Sequence, residues 1–388
     1  MAVADTSPIL PGSTLGILGG GQLGAMFAMA ARRMGYRVEA ISDVADCPAA
    51  RHCDRLHVGD YADLAFLARV AAGLDVVTFE FENIPAEAGR SLAAVVPVRP
   101  ASDVLFTTQD RAREKAFLTR HGFACAPYRV VRSREDLHAA VADLGLPAVL
   151  KTAAFGYDGK GQTRLTRSDD VDAAWAELGS GPDGPRELVL EGWIDFDCEI
   201  SVVAARGLDG EIAAFAPSRN AHANHILDVS SVPAGLPQPV LSAATLLAGN
   251  ILTALGVVGV ACVEFFVTKD RTVLVNEIAP RTHNSGHLTI EACDTSQFEQ
   301  QVRAVCGLPL GSTRQRLPAA MANLLGDLWT KGEPDWAAGL GVPGVSLHLY
   351  GKHDPRPGRK MGHLTALADT VDEAVLRVTR ARDLVRRS

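Results

Sequence analysis

Two glutamates in CVEFFVTKDRTVLVNEIA, residues 262–279, have the type and spacing for chemistry. The run reads as two apolar strands around a polar turn. With the turn centred on Asp270-Arg271, Val267 opposes Leu274 and Glu264 opposes Glu277. Carboxylates directly across a ladder repel one another, and apolar flanks add a desolvation cost. A shared proton would relieve that repulsion. So would a divalent cation, since oxygen ligands at this spacing suit magnesium bridging to phosphates. Asn276 supplies a further oxygen. The plain alternative is a pair of exposed glutamates on an edge hairpin.

Three other stretches suit anions. In KTAAFGYDGKGQTRL, Lys151 ends a strand, and Gly156, Gly159 and Gly161 surround Tyr157, Asp158 and Lys160. Glycines let backbone N–H groups face phosphate oxygens while lysines neutralise charge. The loop is not a Walker A motif, because no G-x-x-x-x-G-K-[ST] is present and a strand follows. APRTHNSGH places Arg281, His283, Asn284 and His287 just past Glu277. YGKHDPRPGRKMGH gathers Lys352, Arg356, Arg359 and Lys360 around Pro355, Pro357 and Gly358, either a phosphate site or a solvated loop. A fourth stretch points elsewhere. LGILGGGQLGAMF carries Gly19, Gly21 and Gly24 as G-x-G-x-x-G between a strand and a helix, the mark of a nicotinamide oxidoreductase.

The elements that must position these residues alternate in type. The first hundred residues read strand, helix, strand, helix, strand, the pattern of a parallel sheet with covering helices. In DVVTFEFEN, period two puts Glu80 and Glu82 opposite the aromatics, on a solvated face or at a ligand-binding strand end. TTQDRAREKAFLTRHGF reads as a helix from near Thr108, and SREDL as a capped helix start. From residue 187 to 216 two apolar strands flank a loop, IDFDCE. A final helix starts at Val371. No charge occurs from residue 229 to 263, a length that meets the rule for a membrane span. Gly256 and Gly259 interrupt it, so it reads as a buried helix, LSAATLLAGNILTALG, then a strand. With 388 residues the chain holds two or three domains. We place them at 1–105, 106–312 (with a glycine-loop part at about 125–195) and 313–388. A net charge of -7 gives no reason to expect nucleic-acid binding. Seven dispersed cysteines without C-x-x-C argue against structural zinc and suit a reduced, cytoplasmic protein. No signal peptide is expected.

A glycine loop, a carboxylate pair and phosphate-sized basic spots together favour an ATP-using ligase over a dehydrogenase. GGGQLG, QDRAREKAFL, GYDGKGQ, NEIAPRTHNSGH and RPGRKMGHL, in this order, resemble the ATP-grasp superfamily. Within it they resemble the N5-carboxyaminoimidazole ribonucleotide synthetases of purine biosynthesis. The resemblance implies an α/β and α+β protein: an ATP-grasp fold with an N-terminal Rossmann-like domain and a small C-terminal domain. It implies a homodimer whose substrates are ATP, bicarbonate and aminoimidazole ribonucleotide, with Mg2+ and no membrane or nucleic-acid partner.

Carried over, the resemblance implies an ATP site of Arg111, Lys151, the loop from Gly156 to Gln162, Glu191-Gly192-Trp193-Ile194, Glu199, His222 and Asn276-Glu277. The four-residue linker would serve adenine and Glu199 the ribose. Lys151 would reach the phosphates, and Glu264 and Glu277 the metal. The ribonucleotide would meet Gln22, Glu80 or Glu82, Tyr157, Asp158, Lys160, Arg281, His283, Asn284, Lys352 and Arg359. Asp158, Lys160 and Arg281 would be catalytic. Bicarbonate would attack ATP to give carboxyphosphate and ADP, and the 5-amino group would become a carbamate. The glycine turn at Gly19 would then belong to the ribonucleotide site. Rival readings are a different ATP-grasp carboxylase or formyl-ligase, the nicotinamide oxidoreductase, and a non-catalytic binding protein on the same fold.

Overall fold

The computed structural model describes residues 7–154, 161–181 and 184–387. Gly156, Tyr157, Asp158, Gly159 and Lys160 of the glycine loop lie outside the described residues.

Period-two apolar runs near the N-terminus build a parallel four-stranded sheet. Its order is Arg55–Val58, Arg37–Ser42, Thr14–Leu18, Val76–Phe79. Thr14–Leu18 and Val76–Phe79 are buried at every position, as a sheet covered on both faces requires. The strand in DVVTFEFEN stops at Phe79. Glu80 and Glu82 therefore stand beyond its carboxyl end, where open sheets bind ligands, and not on a solvated strand face.

A second, antiparallel sheet runs Tyr128–Val131, Leu188–Gly192, Ala148–Thr152, Gln162–Leu165. Lys151 pairs with Gln162 across it. The loop expected at IDFDCE is shorter than it read, because a long strand already starts at Phe196 and runs to Arg206. Aspartates 195 and 197 made that stretch look like a loop. They bind Lys269 and Arg271 of the neighbouring hairpin, at 2.6 and 2.7 Å.

The third sheet holds nine strands. Along its path stand Val273–Ala279, Gly259–Thr268, Phe196–Arg206, Ser218–Ala223, Ile226–Val232, Ala319–Leu325, Lys360–Leu367 and Val345–Leu349. A short strand, Ile212–Ala214, pairs off this path. The three strands after residue 312 thus continue the sheet that carries Glu264 and Glu277. The helix Gln238–Leu255 is long and apolar enough to cross a membrane, yet it packs on this sheet. Val240, Ala244, Ala248, Ile251 and Leu252 meet Val202, Ala204, Ala261 and Val263 there. The expected buried helix is buried along that one face, and Leu246 on another is 67% exposed.

The helix expected from near Thr108 starts three residues later, and a separate short helix precedes it. Ser102–Thr108 ends, and Arg111–Arg120 begins after Asp110, whose carboxylate accepts from Arg113 N at 2.9 Å. Asp110 supplied the start signal, because an N-cap outweighs the flanking helical pattern.

Candidate active site

The hairpin brings Glu264 and Glu277 into register, by a different route from the expected one. Arg271 takes φ 70° in the turn, and Val267 pairs with Val273 where Leu274 was expected. A β-bulge then leaves Asn276 without a cross-strand partner and restores Glu264 opposite Glu277. The two carboxylates find separate cations. Glu277 accepts from Arg111 Nη1 at 3.1 Å, and Glu264 lies 2.9 Å from His283 Nε2. Burial opposes the Glu264 carboxylate, but His283 beside it holds it at about 2. His283 is pushed up to about 10, since Cys262 and Glu264 outweigh burial.

Glu199 and His222 close one side of this group. Their facing atoms are 3.1 Å apart, and ligand atoms of Glu199, His222 and Glu264 all lie within 4.8 Å of one another. Burial and the Glu264 charge push Glu199 up to about 7. On the other side Lys151 Nζ donates to Glu191 at 3.0 Å. Burial pulls Lys151 down, while its charge, with those of Lys115 and Arg111, holds Glu191 at about 2 despite burial. The Glu191 side chain thus faces cations. Gly192 N and Trp193 N bond to Pro127 O and Pro147 O, and Arg164 lies 4.0 Å over the Trp193 ring. Ile194 follows in the same linker. Gly161, at φ 70°, leads out of the glycine loop, and its carbonyl accepts from Thr152 N.

A second cluster lies at the carboxyl end of the N-terminal sheet. Arg281 grips Glu82 through Nε at 2.5 Å and Nη2 at 2.7 Å, and this pair keeps Glu82 ionised against burial. Glu80, 7% exposed, accepts from Gly21 N and from Gly24 N at 2.8 Å. Burial raises Glu80, while the two N–H groups, Arg281 and Lys352 pull it down. Gln22 opens the helix Gln22–Arg33 and lines a groove of about 440 Å³ with Tyr350 and His348. Lys352 donates to Lys360 O and Arg359 to Asp354 O, both at 2.8 Å. The side-chain amides of Asn284 and Asn323 exchange two hydrogen bonds, Asn284 Nδ2 donating at 3.1 Å and Asn323 Nδ2 at 2.6 Å.

The Glu80 contacts explain the glycine turn. An internal carboxylate occupies the helix N-terminus where a dinucleotide would put its pyrophosphate. A Cβ on Gly21 would lie 2.5 Å from Glu80 Oε1, so this glycine serves the carboxylate. We expect no binding of NAD or NADP in a calorimetric titration; micromolar affinity would refute this account of the turn.

His287, grouped by sequence with the anion-binding residues, is wholly buried. Its ring packs 4.8 Å from that of His363, which accepts or donates at Tyr350 Oη, 2.9 Å away. Burial and neighbouring positive charge hold both imidazoles well below 6.5. Their folded forms stay neutral while the unfolded chain takes up protons below its own pKa of about 6.5. Stability should therefore fall as pH drops below about 6.5. Melting temperatures from pH 8 to 5 test this: His363→Gln should flatten the decline, and an unchanged slope would refute the assignment.

Several supporting residues were not singled out from the sequence. Gln297 clasps the His283 backbone through N at 2.8 Å and O at 2.7 Å. Ser285 Oγ meets His283 Nδ1 at 2.8 Å. Glu114 and Lys115, each 1% exposed, face the strand of Glu277. Their signal was present: Arg111, Glu114 and Lys115 fall at i, i+3 and i+4 beside buried Leu118.

Two antiparallel sheets whose facing residues include buried or half-buried lysines and acids, next to a Rossmann-like unit, define an ATP-grasp ligase. Residues 116–298 match the ATP-grasp domain, 13–109 the ribonucleotide synthetase preATP-grasp domain, and 319–377 the phosphoribosylaminoimidazole carboxylase C-terminal domain. The chain belongs to the N5-carboxyaminoimidazole ribonucleotide synthase family. It is 46% identical to that synthase of Brucella melitensis, over 94% of this chain and 98% of the relative. Against the synthase of Bacillus subtilis the identity is 42%, over 96% of each. The Aspergillus clavatus synthase, solved in complex with ADP and 5-aminoimidazole ribonucleotide, superposes with a TM-score of 0.87 at 31% identity, covering 96% of this chain and 98% of that one.

Proposed function

We propose that the two clusters are the two halves of one active site for ATP-dependent carboxylation of aminoimidazole ribonucleotide, the reaction of the chain's family. Bicarbonate attacks the γ-phosphate, giving carboxyphosphate and ADP. Carboxyphosphate then breaks down to phosphate and carbon dioxide beside the 5-amino group, which attacks the carbon dioxide, loses its proton and becomes a carbamate. One observation carries this reading: Arg111 and Lys151, half-buried beside one another, are each paired with a carboxylate, Glu277 and Glu191. A triphosphate supplies the anion such cations recognise. Catalysis by positioning and charge neutralisation fits this gap.

Adenine contacts the linker 191–194 in this reading, and Glu199 with His222 meets the ribose. Glu264, Glu277 and the Asn276 side chain offer the hard oxygen donors that suit Mg2+. Each glutamate already has a cationic partner, Arg111 or His283, which supports reading the pair as a place for positive charge. Bound there, Mg2+ would neutralise phosphate oxygens. Gln22, Glu80, Glu82, Arg281, His283, Asn284, Lys352 and Arg359 form the ribonucleotide side, with Arg281 placed to steady the developing carbamate. Tyr157, Asp158 and Lys160 would close over carboxyphosphate and exclude water. Asp158 is our candidate for accepting the amine proton.

We place the enzyme in the cytoplasm as a homodimer; all seven cysteines are free, which suits a reducing compartment. A coupled ADP-release assay tests the function. Release should require both bicarbonate and aminoimidazole ribonucleotide. Equal release with biotin, or with formate and glycinamide ribonucleotide, would point to another ligase of the superfamily.

A further inference from the structure

One face of the helix Arg111–Arg120 holds three successive residues of the strand Val273–Ala279. Arg111 donates to the Glu277 side chain at 3.1 Å. Ile278 N donates to Glu114 Oε2 at 2.9 Å. Between them, Lys115 Nζ donates to Asn276 O at 3.3 Å. Asn276 is the bulged residue, the one the ladder leaves unpaired. A bulge places an extra residue in one strand, and its loss would shift the strand by one position. Such a slip turns every side chain to the opposite face. The carbonyl that Lys115 satisfies therefore belongs to the residue whose insertion sets Glu277 opposite Glu264.

The same ammonium reaches the other sheet. Lys115 Nζ is 3.5 Å from Glu191 Oε2, the oxygen that accepts from Lys151 Nζ at 3.0 Å. Lys115 and Glu191 are 1% and 3% exposed, so little solvent screens this bridge. One buried cation thus touches both walls of the gap.

We infer that Lys115 is a positioning residue for the nucleotide: it holds the bulge that aligns Glu277 and, through Glu191, the ammonium of Lys151. This rests on reading the gap as the ATP site. Lys115 itself need not touch ATP.

The test is calorimetric titration of ADP and of aminoimidazole ribonucleotide, with Mg2+ or with EDTA, into the whole protein. Lys115→Met should weaken ADP in Mg2+ by about ten- to a hundredfold, the loss of one charge-assisted contact. The gain in ADP affinity from adding Mg2+ should shrink, and the ribonucleotide affinity should stay within about twofold, below the tenfold that 1.4 kcal/mol represents. Lys115→Gln, which keeps an N–H donor, should recover part of the loss. ADP binding like that of the parent, or equal losses for both ligands, would overturn the inference. So would the collapse of both Lys115 variants, which would make Lys115 a folding residue. If the parent itself fails to bind ADP, the ATP-site reading has failed instead.

Discussion

Glu277→Gln should fold normally and lose turnover. The carboxylate stands opposite Glu264 and is held by Arg111. Gln keeps the shape and an acceptor for Arg111, so the loop and helix contacts survive. Burial and the Glu277 charge push Glu114 up to about 8. Removing that charge relieves a like-charge contact, which offsets the weakened ion pair. What Gln cannot supply is negative charge for a divalent cation. Loss of a single preorganised electrostatic group commonly costs about 10²–10³ in rate. ADP release at saturating substrates should fall by at least that range, with the melting temperature within a few degrees of the parent. Turnover near the parent level at ordinary Mg2+ would show that Glu277 holds no metal.

Arg359→Ala should act on the ribonucleotide and spare ATP. Arg359 and Lys352 stand at the two ends of one basic turn, each anchored to a backbone carbonyl. Glu80 feels the charge of Lys352 and Arg281 together, which puts the turn beside the second cluster. A charge-assisted contact to the 5′-phosphate is worth roughly 1.5–3 kcal/mol. The ribonucleotide KM should rise by about ten- to a hundredfold at 1.4 kcal/mol per decade. The KM for ATP should stay within about a factor of three, because on the proposed reading Lys151 and Arg111 would hold the triphosphate by their own charge-assisted contacts. A solvated turn would leave both constants alone, since an exposed charge contributes about 0–1 kcal/mol. A rise in the ATP constant with the ribonucleotide unchanged would assign the turn to the wrong substrate.

The hairpin shows how sequence reasoning reached the Glu264–Glu277 register. Polarity located the turn to within one residue but could not see the bulge at Asn276. The two differences cancel, so the carboxylate pair was legible while its geometry was not. Strand and helix alternation was legible in the first hundred residues because local periodicity encodes it. The end of a strand is less so: Phe81 continues the alternation past Phe79, yet no neighbouring strand pairs with it. Glu80 was visible as a candidate, but its role depends on N–H groups 56 and 59 residues away. Gln297 serves the backbone of His283, fourteen residues away across a turn, and no periodicity reports such a partner.

The order of strands in the large sheet bears on synthesis at the ribosome. Ile226–Val232 is flanked on one side by Ser218–Ala223, which precedes it. On its other side is Ala319–Leu325, which emerges only about ninety residues later, several seconds at roughly 5–20 residues per second. During that interval the nascent sheet presents an open edge able to pair with another nascent chain. Crowded polysomes should therefore be where this protein is most exposed to misassembly, and slow codons between the two strands would lengthen that window.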